Sequence, residues 1–411
     1  MFVISWMYNY INENARSNAM ILQTASDLIS IIFIICFLYQ LYYVITSLLT
    51  KPAVYRSETN HRYVILIAAR NEELVIGDLI DSVRSQKYPA DLIDIIVCAD
   101  NCTDDTARVS RDHGATVIER NNNKEIGKGY ALDFIFNYVS TVFGDDFYDG
   151  YFVFDADNIL DKNFVYEMNN FFDNGFKVVT GYRNSKNFAS SWVSASQSLY
   201  FMRESRYLNN ARMLLGNGAM LSGTGFLVSS DIIRENGGWK YFLLSEDLQF
   251  TADLAAANIK PAYCDSAVFY DEQPITFNQS WNQRLRWVKG GLSVFSAYGA
   301  KMFRGIFRKG GFTCFDTLVS LSPVLMLNAI GLLLHPVRTL TSFYLLMLTF
   351  GLLTVRSEWK RIKASCLIKI LSAFAFPIFM ITQLPLAYVA LFKNVTWTQI
   401  SHTISSAANN F

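Results

Sequence analysis

Two aspartates one residue apart, Asp155 and Asp157, follow the apolar stretch Tyr151–Phe154. Carboxylates that close repel each other unless a cation or a polar partner compensates. A divalent ion bridging carboxylate and diphosphate oxygens supplies that compensation, because hard cations take oxygen ligands. Lys128, in the turn Gly127-Lys128-Gly129, stands where a side-chain cation can meet a phosphate near a helix start. A second acidic pair, Glu246-Asp247, follows Ser245 at the start of a predicted helix over 247–257. Helix N-termini stabilise ionised carboxylates, so capping is the alternative use of this pair. Further along, Gln283, Arg286 and Trp287 share one face of a predicted helix and present an amide, a guanidinium and an aromatic ring together. The alternative there is an amphipathic helix holding Arg and Trp at the headgroup level of a membrane.

These groups need a scaffold that brings them together. From Tyr63 to about Gln273, short β-branched runs alternate with longer amphipathic stretches, as in parallel α/β units. Strands are predicted over 64–68, 94–99, 116–119, 151–154 and 178–180, with helices over 73–86, 103–113, 129–139 and 161–172. A doubly wound sheet binds its ligand beyond the carboxyl ends of its strands. The polar residues that follow strands are therefore the candidates: Ala69-Arg70-Asn71-Glu72, Asp100-Asn101 and Asp155-Ala156-Asp157. For Asn101 and Thr103, capping of the next helix is the competing role. The chain has no G-x-x-x-x-G-K-[ST] loop, and no G-x-G-x-x-G opening a helix after the first strand. Phosphate-loop NTPase and dinucleotide-binding readings thus lose their usual support.

Hydrophobic residues make up 51% of the 411 positions and charged residues 17%, too many charges for a chain buried wholly in lipid. Ile29–Leu49 is uncharged and close to the ~20 residues that cross a bilayer. Lys51, Arg56 and Arg62 follow it, which by the positive-inside rule puts the N-terminus outside and the rest in the cytosol. The runs Phe315–Leu334 and Leu340–Val355 read as a hairpin turning at His335-Pro336, flanked by basic clusters on the cytosolic side. A last run, Ile370–Phe392, is interrupted by Pro377 and Pro385. The expected layout is a membrane segment over 1–50, a cytosolic domain over 51–300, and an interfacial helix with about three membrane segments over 301–411. A net charge of +1 gives no reason to expect a nucleic-acid partner. The six cysteines are scattered, and Cys98 with Cys102 lacks the second pair that a zinc site needs.

Taken in order, these motifs resemble family 2 glycosyltransferases, in the membrane branch with cellulose, chitin and hyaluronan synthases. The matching residues are Ala69 to Glu72, Asp100, Lys128-Gly129, Asp155-Ala156-Asp157, Ser222 to Phe226, Glu246-Asp247 and Gln283 to Trp287. The tail Trp397–His402 is similar to the interfacial segment of bacterial members. The resemblance implies a GT-A type domain with a mainly parallel sheet between transmembrane helices, in a bacterial plasma membrane. It implies a metal-dependent hexosyl- or N-acetylhexosaminyltransferase that uses a UDP-sugar and Mg²⁺ or Mn²⁺ and inverts the anomeric carbon. Asp100 would read the uracil, Asp155 would orient the nucleotide, and Asp157, with Asp155, would hold the metal. Lys128 would offset charge on the departing UDP, and Asp247 would be the general base. Ala69, Arg70, Asn71 and Glu72 would complete the nucleotide site, and Gln283, Arg286 and Trp287 would close over it. Gly223, Thr224, Gly225, Phe226 and Glu246 would lie along the path of a glycan or lipid-linked acceptor.

Two features depart from that pattern. Ser245 stands where many members carry Thr, which leaves the acid pair intact. The membrane segments are fewer than in channel-forming synthases, which leaves room for transfer of a single sugar to a lipid-linked acceptor. A catalytically dead membrane scaffold or transport subunit is the remote alternative, and such a protein need not keep Asp155, Asp157, Asp247 and Arg286 together.

Overall fold

The architecture comes from a computed structural model, which describes residues 2–52, 54–322 and 336–395. A long first helix, α1 (Phe2–Leu49), leads into the α/β domain. That domain runs β1 (Tyr63–Ala69), α2 (Ile76–Arg84), β2 (Ile93–Asp100), α3 (Thr106–Asp112), β3 (Thr116–Arg120), α4 (Lys128–Phe143), β4 (Gly150–Asp155) and β5 (Ile159–Leu160). It continues with α5 (Phe164–Asp173), β6 (Val178–Ser185), α6 (Trp192–Arg203), α7 (Asn210–Leu214), β7 (Phe226–Ser229), α8 (Ser230–Glu235), α9 (Glu246–Ala256) and β8 (Ala262–Asp271). After it come α10 (Phe277–Ile306), α11 (Phe312–Leu321), α12 (Pro336–Ser357), α13 (Cys366–Ile381) and α14 (Gln383–Phe392).

The eight strands form one sheet in the order β3-β2-β1-β4-β7-β6-β8-β5. Strands β3, β2, β1 and β4 are parallel, and β6 is parallel to β8, whereas β7 and β5 run antiparallel to their neighbours. The sheet is therefore mixed, with its parallel part where the sequence pattern places it. Ile65, Ile67, Phe152 and Phe154 point to one face, where they pack with Leu79, Ile80 and Phe164. The intervening Val64, Leu66, Tyr151 and Val153 point to the other, against Leu132, Ile135, Phe136 and Trp239. Burial on both faces explains why these strands read as near-continuous apolar runs. The register sets Ala68 beside Asp155 and Ala69 beside Ala99, so β1, β2 and β4 all end at one edge.

Among the described residues, three stretches are long and apolar enough to cross a membrane: Gln23–Leu49, Pro336–Ser357 and Cys366–Phe392. Of the expected run Phe315–Leu334, α11 covers the part to Leu321, and most of the rest lies outside the described residues, as do His335 and Trp397–His402. Pro377 sits within α13 without breaking it. The helix stops at Thr382 instead, and Pro385 falls in the first turn of α14, where a missing N–H costs little. Helix α10 runs unbroken through residue 300, so the expected domain boundary falls inside a helix.

One buried cluster ties α1 and α11 to the α/β domain. Arg212 donates to both oxygens of Asp316, Nε to Oδ2 at 2.7 Å and Nη2 to Oδ1 at 2.9 Å. Tyr39 and Tyr43 of α1 donate to the same carboxylate at 2.8 Å each. Arg212 and Asp316 are only 1% and 2% exposed. Removing one partner leaves the other charge buried and uncompensated, which typically costs about 3–5 kcal/mol. Asp316→Ala is expected to lower the melting temperature of the detergent-solubilised protein sharply. An unchanged melting curve would show that the cluster does not hold these helices in place.

Candidate active site

A cleft of ≈ 340 Å³ opens beyond the carboxyl ends of β1, β2 and β4. Ala69, Arg70, Glu72, Asp100, Lys128, Asp155, Asp157, Gly223, Glu246, Asp247, Gln283, Arg286 and Trp287 all line it. Most of the residues singled out in the sequence thus share one cavity, although they span more than two hundred positions.

At the β2 end, Asp100 is buried and accepts from Arg120 Nη1 at 2.8 Å and from Asn101 Nδ2 at 3.0 Å. Burial raises its pKa while Arg120 pulls it back. Asn71 and Asn101 hold left-handed backbone, φ +55° and +54°, which asparagine tolerates better than most residues. Asn71 Oδ1 accepts from the Thr103 amide at 2.7 Å, and Asn101 Oδ1 from the Asn122 amide at 2.9 Å. Both therefore shape the loops at the β1 and β2 end of the cleft. Neither Asn101 nor Thr103 caps a helix, because α3 begins only at Thr106. Asn71 itself is not among the residues that line the cleft.

Lys128 opens α4 and reaches across the cleft, donating to Asp155 Oδ1 and to the Gly223 carbonyl at 2.7 Å. Burial alone would lower its pKa, but Asp155, Glu246 and Asp247 outweigh that and hold it above the ordinary lysine value. Asp157 is nearly buried and accepts from Asn158 Nδ2 at 3.1 Å and from the Glu272 amide at 3.1 Å. Of the expected acceptor segment, only Gly223 reaches the cleft. Thr224 lies behind the wall, where its hydroxyl accepts from the Asp155 amide at 2.9 Å and donates to Asn158. Gly225 backs onto the ring of Phe269, 2.2 Å from where a Cβ would stand, and Phe226 points into the apolar core. In the structure these three support Asp155 and the sheet and do not line the cleft.

Glu246 and Asp247 occupy the first turn of α9, and Ser245 makes no side-chain cap there. Burial pushes Glu246 up to about 7, helped by Asp247 and opposed by Lys128. Asp247 is also raised by burial, against the pull of the Leu248 amide, Lys128 and Arg286. On α10, Gln283 Oε1 accepts from Gln197 Nε2 at 2.6 Å, and Trp287 meets Phe201 edge-on at 5.6 Å between ring centres. Arg284 turns to the opposite side, donating to Thr382 Oγ1 at 2.8 Å with its guanidinium over Phe379. The interfacial alternative for this helix fits Arg284 no better than it fits Arg286.

Sequence reasoning missed a second ion pair in the cleft. Arg183 donates through Nε to Asp271 Oδ2 at 2.6 Å and through Nη1 to the Ser222 carbonyl at 2.9 Å, with its guanidinium 3.7 Å from the centre of the Phe201 ring. Burial lifts Asp271 to about 6 despite Arg183. Arg183 and Asp271 sit near or at the ends of β6 and β8. The rule about polar residues after strands would have found both, had β6 been extended past Thr180 and β8 recognised. Glu204, Tyr200 and Phe201, also unforeseen, complete the wall.

Among the described residues lining the cleft, nine carboxylates stand against four cations. No group of three or more His, Cys, Asp or Glu side chains among those residues is gathered as a metal cage. Mg²⁺ in nucleotide enzymes takes one or two carboxylates and completes its shell with phosphate oxygens and water. Asp155 and Asp157 in an acid-rich cleft fit that pattern.

A probable glycosyltransferase of Bacillus subtilis, YdaM, is 26% identical over 248 residues, covering 58% of this chain and 57% of that protein. The 4,4'-diaponeurosporenoate glycosyltransferase of Staphylococcus aureus is 45% identical over 76 residues, 18% of this chain and 20% of that one. The match thus spans little more than half of the first relative and a fifth of the second. In structure, a Pyrobaculum calidifontis mannosyltransferase, solved with GDP-mannose and Mn²⁺, superposes with a TM-score of 0.58 at 14% identity, covering 90% of this chain and 99% of that one. Residues 61–290, from just before β1 to the middle of α10, match the family described as "Glycosyltransferase like family 2", and the chain belongs to that family.

Proposed function

We propose that this chain transfers a hexose or N-acetylhexosamine from a UDP-sugar, with inversion, to a hydroxyl of a glycan or lipid-linked acceptor at the cytosolic face of a bacterial plasma membrane. The observation that carries this reading is the meeting of Lys128, Asp155 and Asp157 with Glu246 and Asp247 in one cleft at the strand ends. Family membership supports the reaction class, and the GT-A-like mannosyltransferase with its Mn²⁺ supports a divalent ion here. The apolar helices and their basic flanks support the membrane setting. Uridine as the base rests on the resemblance to the synthases.

In this reading Asp100, held by Arg120, faces the base of the nucleotide. Asp157 and Asp155 would hold Mg²⁺ or Mn²⁺, which when bound offsets charge on the diphosphate as a Lewis acid. Lys128 stands ready to meet the same oxygens, and Arg286 brings a second cation from α10. Asp247 takes the proton of the acceptor hydroxyl as that oxygen attacks the anomeric carbon from the face opposite the nucleotide. Trp287 and Phe201 offer aromatic faces on which a sugar ring can stack. Transfer of one sugar to a lipid-linked acceptor is the second reading, favoured by the modest membrane part.

Three outcomes follow from these roles. Chelation with EDTA is expected to abolish transfer and Mg²⁺ or Mn²⁺ to restore it, and full activity in chelator would exclude the metal. Asp247→Asn keeps size and capping ability but loses basicity, so turnover should fall by about 10²–10⁴-fold while UDP affinity and melting temperature barely change. Near-normal turnover would remove Asp247 from the chemistry. A base works only when ionised, and burial raises both Asp247 and its neighbour Glu246 above the usual carboxylate range. The acid limb of kcat/KM should therefore lie above the ordinary carboxylate value of about 4, and a limb at that ordinary value would contradict this.

A further inference from the structure

The short segment Tyr241–Asp247 is held between two helices at places where no side chain fits. On one flank, a Cβ on Gly290 of α10 would stand 2.0 Å from Ser245 Oγ and 2.7 Å from Ser245 Cβ. On the other, a Cβ on Gly129 of α4 would stand 2.2 Å from the Tyr241 carbonyl oxygen. Contacts that short do not occur between real atoms, so either substitution must displace something. Gly290 lies one turn beyond Arg286 on the same face of α10, and Gly129 directly follows Lys128. The two helices that grip the segment are therefore the two that carry the cations flanking Asp247.

The α10 contact continues as a seam. Gln249 Nε2 donates to Tyr298 Oη at 3.3 Å, and Lys301 Nζ donates to Asp253 Oδ1 at 2.8 Å. Ser245, Gln249 and Asp253 are spaced four apart, so successive turns of α9 meet α10 along one line. We propose that Gly290 and Gly129 are positioning residues that set Asp247 against Arg286 and Lys128, an assignment that rests on reading Asp247 as the base. Closely fitted reacting groups lose about 10²-fold in rate for a misplacement of ~1 Å. A methyl group at position 290 must turn Ser245 Oγ aside and, with Ser245 Cβ still only 2.7 Å away, must also shift Ser245 or α10 by a distance approaching that scale. At Gly290 the obstacle is a side chain, which can be removed. At Gly129 it is a backbone oxygen, which cannot.

The test uses the full chain in detergent and follows UDP release from UDP-glucose and UDP-N-acetylglucosamine, with isolated bacterial membranes as the acceptor source. Gly290→Ala is expected to lower turnover about 10²-fold while UDP binds within about 3-fold of wild type. Adding Ser245→Gly should return turnover to nearly that of Ser245→Gly alone. Gly291→Ala, whose nearest neighbour would be Leu321 Cδ2 at 3.9 Å, serves as the neutral control. Wild-type turnover in Gly290→Ala would overturn the proposal. If Gly290→Ala does not fold, the double variant decides, and a recovered melting curve without recovered turnover also overturns it. Asp247→Asn measured in parallel keeps the two readings apart: near-normal turnover there removes the base, whereas failed rescue at position 290 removes only the wedge.

Discussion

The crowding of carboxylates at one edge of the sheet is the constraint to which the rest of the structure answers. Parallel strands that end side by side bring whatever follows them into one small volume, and here acids follow three strands and open α9. Like charges so placed cannot all stay ionised without compensation. The chain meets this in three ways. Lys128 and Arg183 each pair with one acid, at Asp155 and Asp271. Burial raises Glu246 and Asp271 well above the usual carboxylate range, so these two acids give up their charge more readily than exposed ones. The remainder of the negative potential stays open, which is what a divalent ion arriving with a diphosphate would neutralise.

The wall formed by residues 204–214 belongs to the apolar helices as much as to the α/β domain. These residues present Glu204, Ser205 and Asn209 to the cleft. Their other side meets the apolar helices: Arg212 pairs with Asp316 of α11, which also accepts from Tyr39 and Tyr43 of α1, Asn210 Nδ2 donates to Ser47 of α1 at 3.4 Å, and Tyr207 bonds to Ser357 of α12 at 2.6 Å. Just beyond α12, Glu358 accepts from Tyr182 of β6 at 2.8 Å and pairs with Arg361, which in turn holds Asp265 of β8 at 2.7 Å. Buried charged contacts tolerate little sliding, because any shift that separates them leaves charges unpaired. The cleft wall and the apolar helices are thus tied to each other through side chains that are largely buried.

Much of this was legible in the sequence because parallel strands buried on both faces leave a strong local signal. The first four predicted strands fall within one or two residues of β1 to β4, and of the polar residues after β1, β2 and β4, Arg70, Glu72, Asp100, Asp155 and Asp157 line the cleft whereas Asn71 and Asn101 do not. What escaped notice had weak local signals. Strand β5 is two residues long, and β8 carries an irregularity between Cys264 and Val268 where it pairs with β6. Asp271 and Arg183 were lost with those strand ends. The motif Ser222 to Phe226 shows the opposite failure. The resemblance marked Gly223 to Phe226 as an acceptor path; Gly223 does line the cleft, but Gly225 backed against Phe269 and Phe226 in the core serve packing in the structure. A motif records that residues are needed, and only the three-dimensional arrangement separates contact with a ligand from support of the residue that makes contact.

Helix α10 joins these features. Its first half carries Gln283, Arg286 and Trp287 into the cleft, its middle presses Gly290 against Ser245, and its later turns meet α9 at Tyr298 and Lys301. On its other side Leu285 packs against Leu386 and Ala390 of α14, and Lys289 Nζ donates to the Ala390 carbonyl at 3.0 Å. A continuous helix of 30 residues is about 45 Å long and stiff on that scale. Gln283, Arg286 and Trp287, the segment bearing Asp247 and the apolar helix α14 are therefore all referred to one rod. Because Gly290 leaves no room for a side chain between α10 and Ser245, the close approach of the rod to that residue, rather than side-chain reach alone, relates Arg286 to Asp247.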